Sequence, residues 1–75
     1  VVLDNEPRNR EIVEATRQAI ESGYTVCVWG QDVREKDIND MVLAGQTPRQ
    51  VQDCIDVNSV CGIEAQLRWS QWKRI

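Results

Sequence analysis

The sequence predicts an α/β fold in which a βαβ unit with parallel strands is followed by short C-terminal helices. Two runs rich in β-branched or aromatic residues, at positions 1–3 and 24–29, favour strands. Between them, residues 8–22 carry apolar side chains at helical spacing. Strand, helix and strand within about 30 residues form a unit whose crossover is expected to be right-handed.

The helix of this unit is expected to begin after Asn5 and to end before Gly23. Asn5 is a good N-cap, Pro7 suits the first helical turn, and glycine commonly stands just past a helix end. The run "YTVCVW" that follows is almost continuously apolar, which is typical of a buried parallel strand. The apolar stripe of the helix consists of Ile12, Val13, Ala15, Ala19 and Ile20.

Two further helices are indicated by their start and stop signals. Asp37 is the expected cap of a short helix that stops at Gly45. Thr47 and Gln50 have the spacing of a capping box, which predicts a helix that ends near Asn58. The tail that follows has both helical and alternating apolar spacing, and its helix-forming residues favour a helix over a strand.

Composition excludes several classes of protein. With 75 residues the chain makes at most one small domain, and its net charge of −3 argues against a polybasic nucleic-acid or membrane module. No apolar run approaches the roughly 20 residues that span a bilayer. The absence of histidine excludes Ser-His and Cys-His catalysis. The odd, widely spaced set of Cys27, Cys54 and Cys61 predicts reduced thiols in a cytoplasmic protein.

The sequence begins at Val1, inside the first apolar run and without a methionine. We therefore expect a fragment of a longer protein, part of whose active site lies elsewhere. A sheet that lacks a neighbouring strand has an open edge. We expect copies of the chain to pair through that edge as a homodimer or in a crystal.

The acidic positions are the candidate chemistry. Asp4 and Glu6 follow the first predicted strand, at the end where parallel sheets bind ligands. Residues two apart in an extended segment point the same way, and a divalent cation such as Mg²⁺ relieves their repulsion. If the two strands are neighbours, Asp37 or Asp40 from the loop after the second strand could join them. Basic residues that could contact phosphates flank both segments: Arg8, Arg10 and Lys36.

Each of these residues also has a structural explanation. Asp37 and Asp40 can be accounted for by helix capping, and an acidic first turn favours any helix. Arg8 and Arg10 could simply be solvated. Three tryptophans could stack on bases or could pack at the rim of the core: Trp29, Trp69 and Trp72.

Two segments resemble the Toprim domain, a Rossmann-like catalytic domain of primases, topoisomerases and some nucleases. "VVLDNEPRN" resembles its D-x-D segment, with Glu6 in place of the usual second Asp, and "EKDINDMVLAG" resembles its later acidic segment. Together with "GIEAQLRWSQWKRI", they make the chain most similar to the C-terminal part of the Toprim domain in DNA primases of T-even-like tailed phages. The resemblance covers nearly all of residues 1–75.

The resemblance implies a function and a set of residues. Asp4, Glu6 and Asp37 would be catalytic and would bind Mg²⁺, or Mn²⁺, while Asn39 and Asp40 are neighbouring candidates. The full-length protein would be a DNA primase, which joins ribonucleotides into RNA primers on a single-stranded DNA template and works with a replicative helicase. The family also has an earlier catalytic glutamate and a zinc-binding module, which residues 1–75 lack, so the fragment is expected to be inactive alone.

Two alternatives remain open at this point. The same segments could belong to a Toprim nuclease or topoisomerase. A different class is a non-catalytic α/β protein-docking module, which would use Asp4 and Glu6 structurally and would not respond to Mg²⁺.

Overall fold

The computed structural model describes residues 1–75 and contains helices, short strands and long connecting segments. The mixed helix-and-strand class predicted from the sequence is confirmed. In chain order the elements are α1 (Arg10–Glu21), β1 (Val26–Cys27), α2 (Ile38–Leu43), α3 (Pro48–Val57), β2 (Ser59–Val60) and α4 (Gly62–Trp72).

The sheet is antiparallel, which corrects the predicted parallel arrangement. Strand β1 pairs with β2, and Val26 lies opposite Val60. The two residues of β2, between two helices, are too few to show the alternation by which a strand is recognised in a sequence. The expected first strand makes only an isolated parallel bridge, between Val2 and Cys27. A parallel Rossmann-like unit is therefore not confirmed.

The chain leaves this parallel bridge because its next polar groups have other partners. The carbonyl oxygen of Leu3 accepts the indole N–H of Trp29 over 2.8 Å, so a side chain replaces a backbone donor. The backbone N–H of Val28, next to Trp29, donates to the carbonyl oxygen of Asn58 over 2.9 Å. Regular strand pairing covers only the two residues of β1, Val26 and Cys27.

The cap of α1 also differs from the prediction. Asn9, not Asn5, is the N-cap, and its side-chain oxygen accepts the backbone N–H groups of Glu11 and Ile12 at 3.0 and 3.2 Å. Pro7 lies in the turn before the helix. The predicted stop is confirmed, since Gly23 follows the helix with φ of 87°.

The remaining helix signals are confirmed. Asp37 caps α2, and its side chain accepts the backbone N–H of Asp40 over 2.8 Å. Thr47 and Gln50 form the predicted capping box of α3. The tail begins with the two residues of β2 and is then helical as α4, so the alternative of a strand over its alternating apolar residues is wrong.

Helix α1 packs against α4 and against the buried strand β1. The indole N–H of Trp69 on α4 donates to the carbonyl oxygen of Val13 on α1 over 2.9 Å. Trp29 and Trp72 are both buried, which accords with packing. No helix in the chain combines the length and the apolar character needed to cross a bilayer. The core comprises Val13, Ile20, Val26, Cys27, Val28, Trp29, Met41, Val51, Val60, Ala65 and Trp72.

Candidate functional site

The two acidic segments predicted from the sequence lie side by side. The backbone N–H of Asn5, between Asp4 and Glu6, donates to the carbonyl oxygen of Lys36 over 2.6 Å. Lys36 directly precedes Asp37 in the chain. The segments around Asp4–Glu6 and Lys36–Asp37 are therefore neighbours in space, although residues 7–35 lie between them in the chain.

The side chain of Asn5 stabilises the junction of the two acidic segments, the place where residues 4–6 and 36–37 lie side by side. Its amide nitrogen donates to the carbonyl oxygens of Val33 and Glu35, at 3.0 and 3.1 Å. Its amide oxygen accepts the indole N–H of Trp72 over 2.9 Å. Both ends of the amide group are thus used, and three separate parts of the chain meet at one partly buried residue.

The carboxylates near this junction are only partly committed to structural roles. Asp4, Glu6, Asp37 and Asp40 are all half-buried. Asp37 accepts its cap hydrogen bond, and Glu6 accepts only a long contact of 3.5 Å from the Asn9 side chain. No three side chains of the types Asp, Glu or Cys converge closely enough to hold one metal ion.

The donor chemistry nevertheless fits Mg²⁺. This ion takes oxygen ligands and is commonly held by only one or two carboxylates, while waters fill the other positions. Asp4 and Glu6 belong to one segment and Asp37 to its neighbour, so one or two of these carboxylates would satisfy that requirement. None of them has a cationic side chain as its ion-pair partner.

The predicted basic residues are available to a ligand. Arg8, Arg10 and Lys36 are exposed and make no ion pair with a carboxylate. Arg10 is the first residue of α1, next to the capping residue Asn9. Asn39 is also exposed, in the first turn of α2.

Sequence reasoning missed the cleft beside this junction. Its walls include Arg34, from the loop after β1, and Arg74, from the end of the chain. Neither Arg34 nor Arg74 belongs to a recognisable motif, and Asp32 and Glu35 stand beside Arg34 in the sequence. The shared place of the two arginines at one cleft is visible only in three dimensions.

A buried polar network supports the loop that carries Arg34. The buried Asn58 donates to the carbonyl oxygen of Cys54 over 2.8 Å and accepts from the Arg68 guanidinium over 2.9 Å. Arg68 also donates to the carbonyl oxygen of Val28 over 3.2 Å. The network fixes the backbone where it leaves the core, just before Gly30.

The cysteines do not form a nucleophilic site. Burial raises the pKa of the Cys27 thiol to about 12, and burial also raises the pKa of Cys54. Thiols of this kind stay protonated and unreactive near neutral pH. All three cysteines are free, which agrees with the expectation that they form no disulfide framework.

Comparison with known proteins gives one informative relative. No protein-family model matches the chain. It is 33% identical over 76 residues to the DNA primase of Enterobacteria phage T4, and this match covers 99% of the chain and 22% of that primase. The chain thus spans about a fifth of its curated relative. The similarity supports a primase-related region, while the assignment to a Toprim domain stays a prediction.

Proposed function

We propose that this chain is part of a phage DNA primase that carries out Mg²⁺-dependent nucleotidyl transfer. Asp4, together with Glu6 or Asp37, would hold the ion in the complete enzyme, and waters would fill its other positions. The observation that carries the proposal is the hydrogen bond from the Asn5 backbone N–H to the Lys36 carbonyl oxygen, 2.6 Å long, which joins the two acidic segments. The similarity to a phage DNA primase along the whole chain supports it independently.

The chain's own residues have distinct parts in this proposal. Bound Mg²⁺ would neutralise phosphate charge and polarise a phosphoryl oxygen. Asn5 orients the acidic segments, because its hydrogen bonds leave Asp4 and Glu6 on either side of a fixed point. Arg8, Arg10 and Lys36 would contact phosphates, since unpaired cationic side chains bind phosphate oxygens with charge-assisted hydrogen bonds.

The proposed activity defines the partners. A primase joins ribonucleotides on a single-stranded DNA template, so both would be bound by the complete enzyme. A replicative helicase would be the protein partner in the primosome. Asn39 and Asp40 lie next to Asp37 and are further candidates for contact with the reacting groups.

The decisive experiment is primer synthesis by the full-length protein with Asp4→Asn. This change removes the charge and keeps the shape of the side chain, so it should abolish synthesis while the thermal unfolding transition stays close to wild type. Asp53→Asn is the matched control. Asp53 is exposed on α3, and its ion pair with Arg49 is long, at 3.9 Å, and therefore weak. Near wild-type synthesis by Asp4→Asn would overturn the proposal.

A second measurement separates this proposal from the docking module. Mn²⁺ added to the 75-residue chain should broaden the amide NMR signals of residues 4–6 and 36–40, and Asp4→Asn should weaken this effect. If neither segment broadens in the chain or in the full-length protein, the docking module is the better account.

A further inference from the structure

A cleft of about 340 Å³ opens next to the junction of the two acidic segments. Three parts of the chain form it: the segment before α1, the loop after β1 and the residues that end α4. Its lining includes Asn5, Gly30, Gln31, Arg34, Trp72 and Arg74. Its volume lies within the range of small-molecule sites, roughly 300–1,000 Å³.

The charge of the cleft is positive, in a chain whose net charge is −3. Arg34 and Arg74 line it, and no Asp or Glu does. Every ion pair of the molecule lies elsewhere, on α1 and α3. Neither guanidinium is therefore neutralised by a carboxylate of the chain, and both are exposed to solvent.

Both arginines keep donors for a ligand. One terminal nitrogen of Arg74 donates to the carbonyl oxygen of Gln71 over 2.8 Å and, more weakly, to that of Lys73 over 3.4 Å. A guanidinium has five N–H donors, so the remaining Arg74 groups are free. The side chain of Arg34 makes no hydrogen bond, so all five N–H donors of its guanidinium are available to a ligand.

The walls of the cleft are tied to one another. The backbone N–H of Arg74 donates to the carbonyl oxygen of Pro7 over 2.7 Å. The indole N–H of the buried Trp72 donates a hydrogen bond to the side-chain oxygen of Asn5, and the Asn5 amide donates one to the carbonyl oxygen of Val33. A turn closed by the Val33 N–H and the Gly30 carbonyl oxygen, at 3.1 Å, shapes the third wall. A site held in this way needs little ordering when a ligand binds.

We infer that this cleft binds the phosphates of a nucleoside triphosphate through Arg34 and Arg74. Planar guanidinium groups pair with phosphate oxygens in bidentate fashion, and two of them without ion-pair partners favour a polyanion. A cleft of small-ligand volume, formed by three segments of the chain, suits a triphosphate better than a continuous strand of nucleic acid. The identity of the ligand rests on the proposed function, whereas the anion site rests on the cleft alone.

The test is a calorimetric titration of the 75-residue chain with tripolyphosphate and with ATP, in EDTA and at about 0.1 M salt, where charge screening is moderate. Binding should shift the amide NMR signals of residues 30–34 and 72–74. Arg34→Gln and Arg74→Gln should each weaken binding about tenfold, which corresponds to about 1.4 kcal/mol, because each removes charge-assisted hydrogen bonds to phosphate. The affinity of Arg34→Lys, which keeps the positive charge but loses the planar guanidinium, should lie between those of wild type and Arg34→Gln.

Arg49→Gln is the control, because Arg49 is equally exposed but lies on α3 outside the cleft. Circular dichroism melting of each variant shows whether it is folded. Tripolyphosphate binding that is equally strong in the Arg34→Gln/Arg74→Gln double variant and in Arg49→Gln would overturn the inference. So would the absence of any binding, or arginine-dependent binding of oligothymidylate without binding of tripolyphosphate or ATP.

The EDTA condition separates this inference from the proposed function. Tripolyphosphate binding without metal reports on the cleft, whereas Mn²⁺ broadening and primer synthesis report on the carboxylates. Retained cleft binding with no response to metal would leave the anion site standing and count against the primase site. A response to metal without binding in the cleft would leave the primase site standing and count against the anion site.

Discussion

The indole N–H of Trp72 donates to the side-chain oxygen of Asn5 over 2.9 Å, across 67 residues of chain. This bond holds the end of α4 against the junction of the two acidic segments. It also forms part of the wall of the cleft that contains Arg34 and Arg74. The geometry of both candidate sites therefore depends on the C-terminal helix.

Trp72→Phe should destabilise the protein by about 1–2 kcal/mol. Phenylalanine keeps most of the apolar contact but leaves the partly buried oxygen of Asn5 without its donor, and an unsatisfied buried acceptor costs about that much. Urea unfolding at neutral pH measures the change. Tyr24→Phe is the control and should lie within about 0.5 kcal/mol of wild type, because Tyr24 is 60% exposed. An equal effect of the two changes would contradict the role given to the bond.

Asn5→Asp should destabilise the protein by about 2–3 kcal/mol at neutral pH. A carboxylate cannot donate to the carbonyl oxygens of Val33 and Glu35, and it would place a charge against two acceptors in a partly buried position. Urea unfolding again measures the change.

The matched control for this change is Asn9→Asp. Asn9 caps α1 by accepting backbone N–H groups, which an aspartate also does. The change loses only a long, exposed contact of 3.5 Å to the Glu6 carboxylate, so the stability should change by less than about 0.5 kcal/mol. If Asn5→Asp were as well tolerated as Asn9→Asp, the two donated bonds would not be needed to hold the junction.

Gly30→Ala should destabilise the protein by about 1 kcal/mol, through crowding rather than backbone strain. A methyl group at this position would lie 2.6 Å from a carboxylate oxygen of Asp32 and 3.2 Å from the side-chain oxygen of Asn58. Asp32 is exposed and can turn away, whereas Asn58 is held by its network. The double variant Gly30→Ala/Asp32→Ala should therefore regain only part of the loss. Full recovery in that double variant would show that Asn58 can move.

The three thiols should react with a thiol-specific disulfide reagent at pH 8 in the order Cys61, Cys54, Cys27. Cys61 is exposed, whereas burial raises the pKa of Cys54 and raises that of Cys27 to about 12. Cys27 should react only when the protein unfolds. Cys61→Ala should remove the fast phase and leave the slow phases unchanged. A fast phase that persists in this variant would show that a buried thiol is accessible.

The raised pKa of Cys27 also predicts how stability depends on pH. The thiol keeps its proton more firmly in the folded protein than in the unfolded chain, where its ordinary pKa is 9.0. The contribution of the Cys27 thiol to folding stability is thus fully present below pH 9 and is lost as pH rises from about 9 towards 12. Urea unfolding at pH 7 and pH 10.5 should show that the free energy of unfolding falls as pH rises, and that it falls less in Cys27→Ala than in the wild type. Equal falls in the two proteins would contradict the assignment to Cys27.

The helices could be predicted from the sequence because their signals are local. Asp37 and Thr47 each accept a hydrogen bond from a backbone N–H three residues further on, so cap and helix are readable in one short window. The same local logic misplaced the cap of α1, since Asn5 and Asn9 both suit the position. Tertiary partners for the Asn5 side chain decided between them.

The acidic segments were found from their residue types and from their resemblance to a known domain, and their proximity was expected from a parallel sheet. The structure brings them together by a different route, through Asn5 and Lys36 rather than through paired parallel strands. The residues predicted to bind metal and phosphate stay predictions. The cleft with Arg34 and Arg74 had no signal in the sequence, because its walls come from three distant segments.

The sequence by itself determined where α2 and α3 begin and end, where α1 ends, and that carboxylates stand at positions 4, 6 and 37. Those properties depend on hydrogen bonds and side-chain spacing within a few residues. Only the tertiary structure decided the antiparallel pairing of β1 with β2, the role of Asn5 and the charge of the cleft. Each of these depends on contacts between residues far apart in the chain, whose partners are chosen by the packing of the whole core.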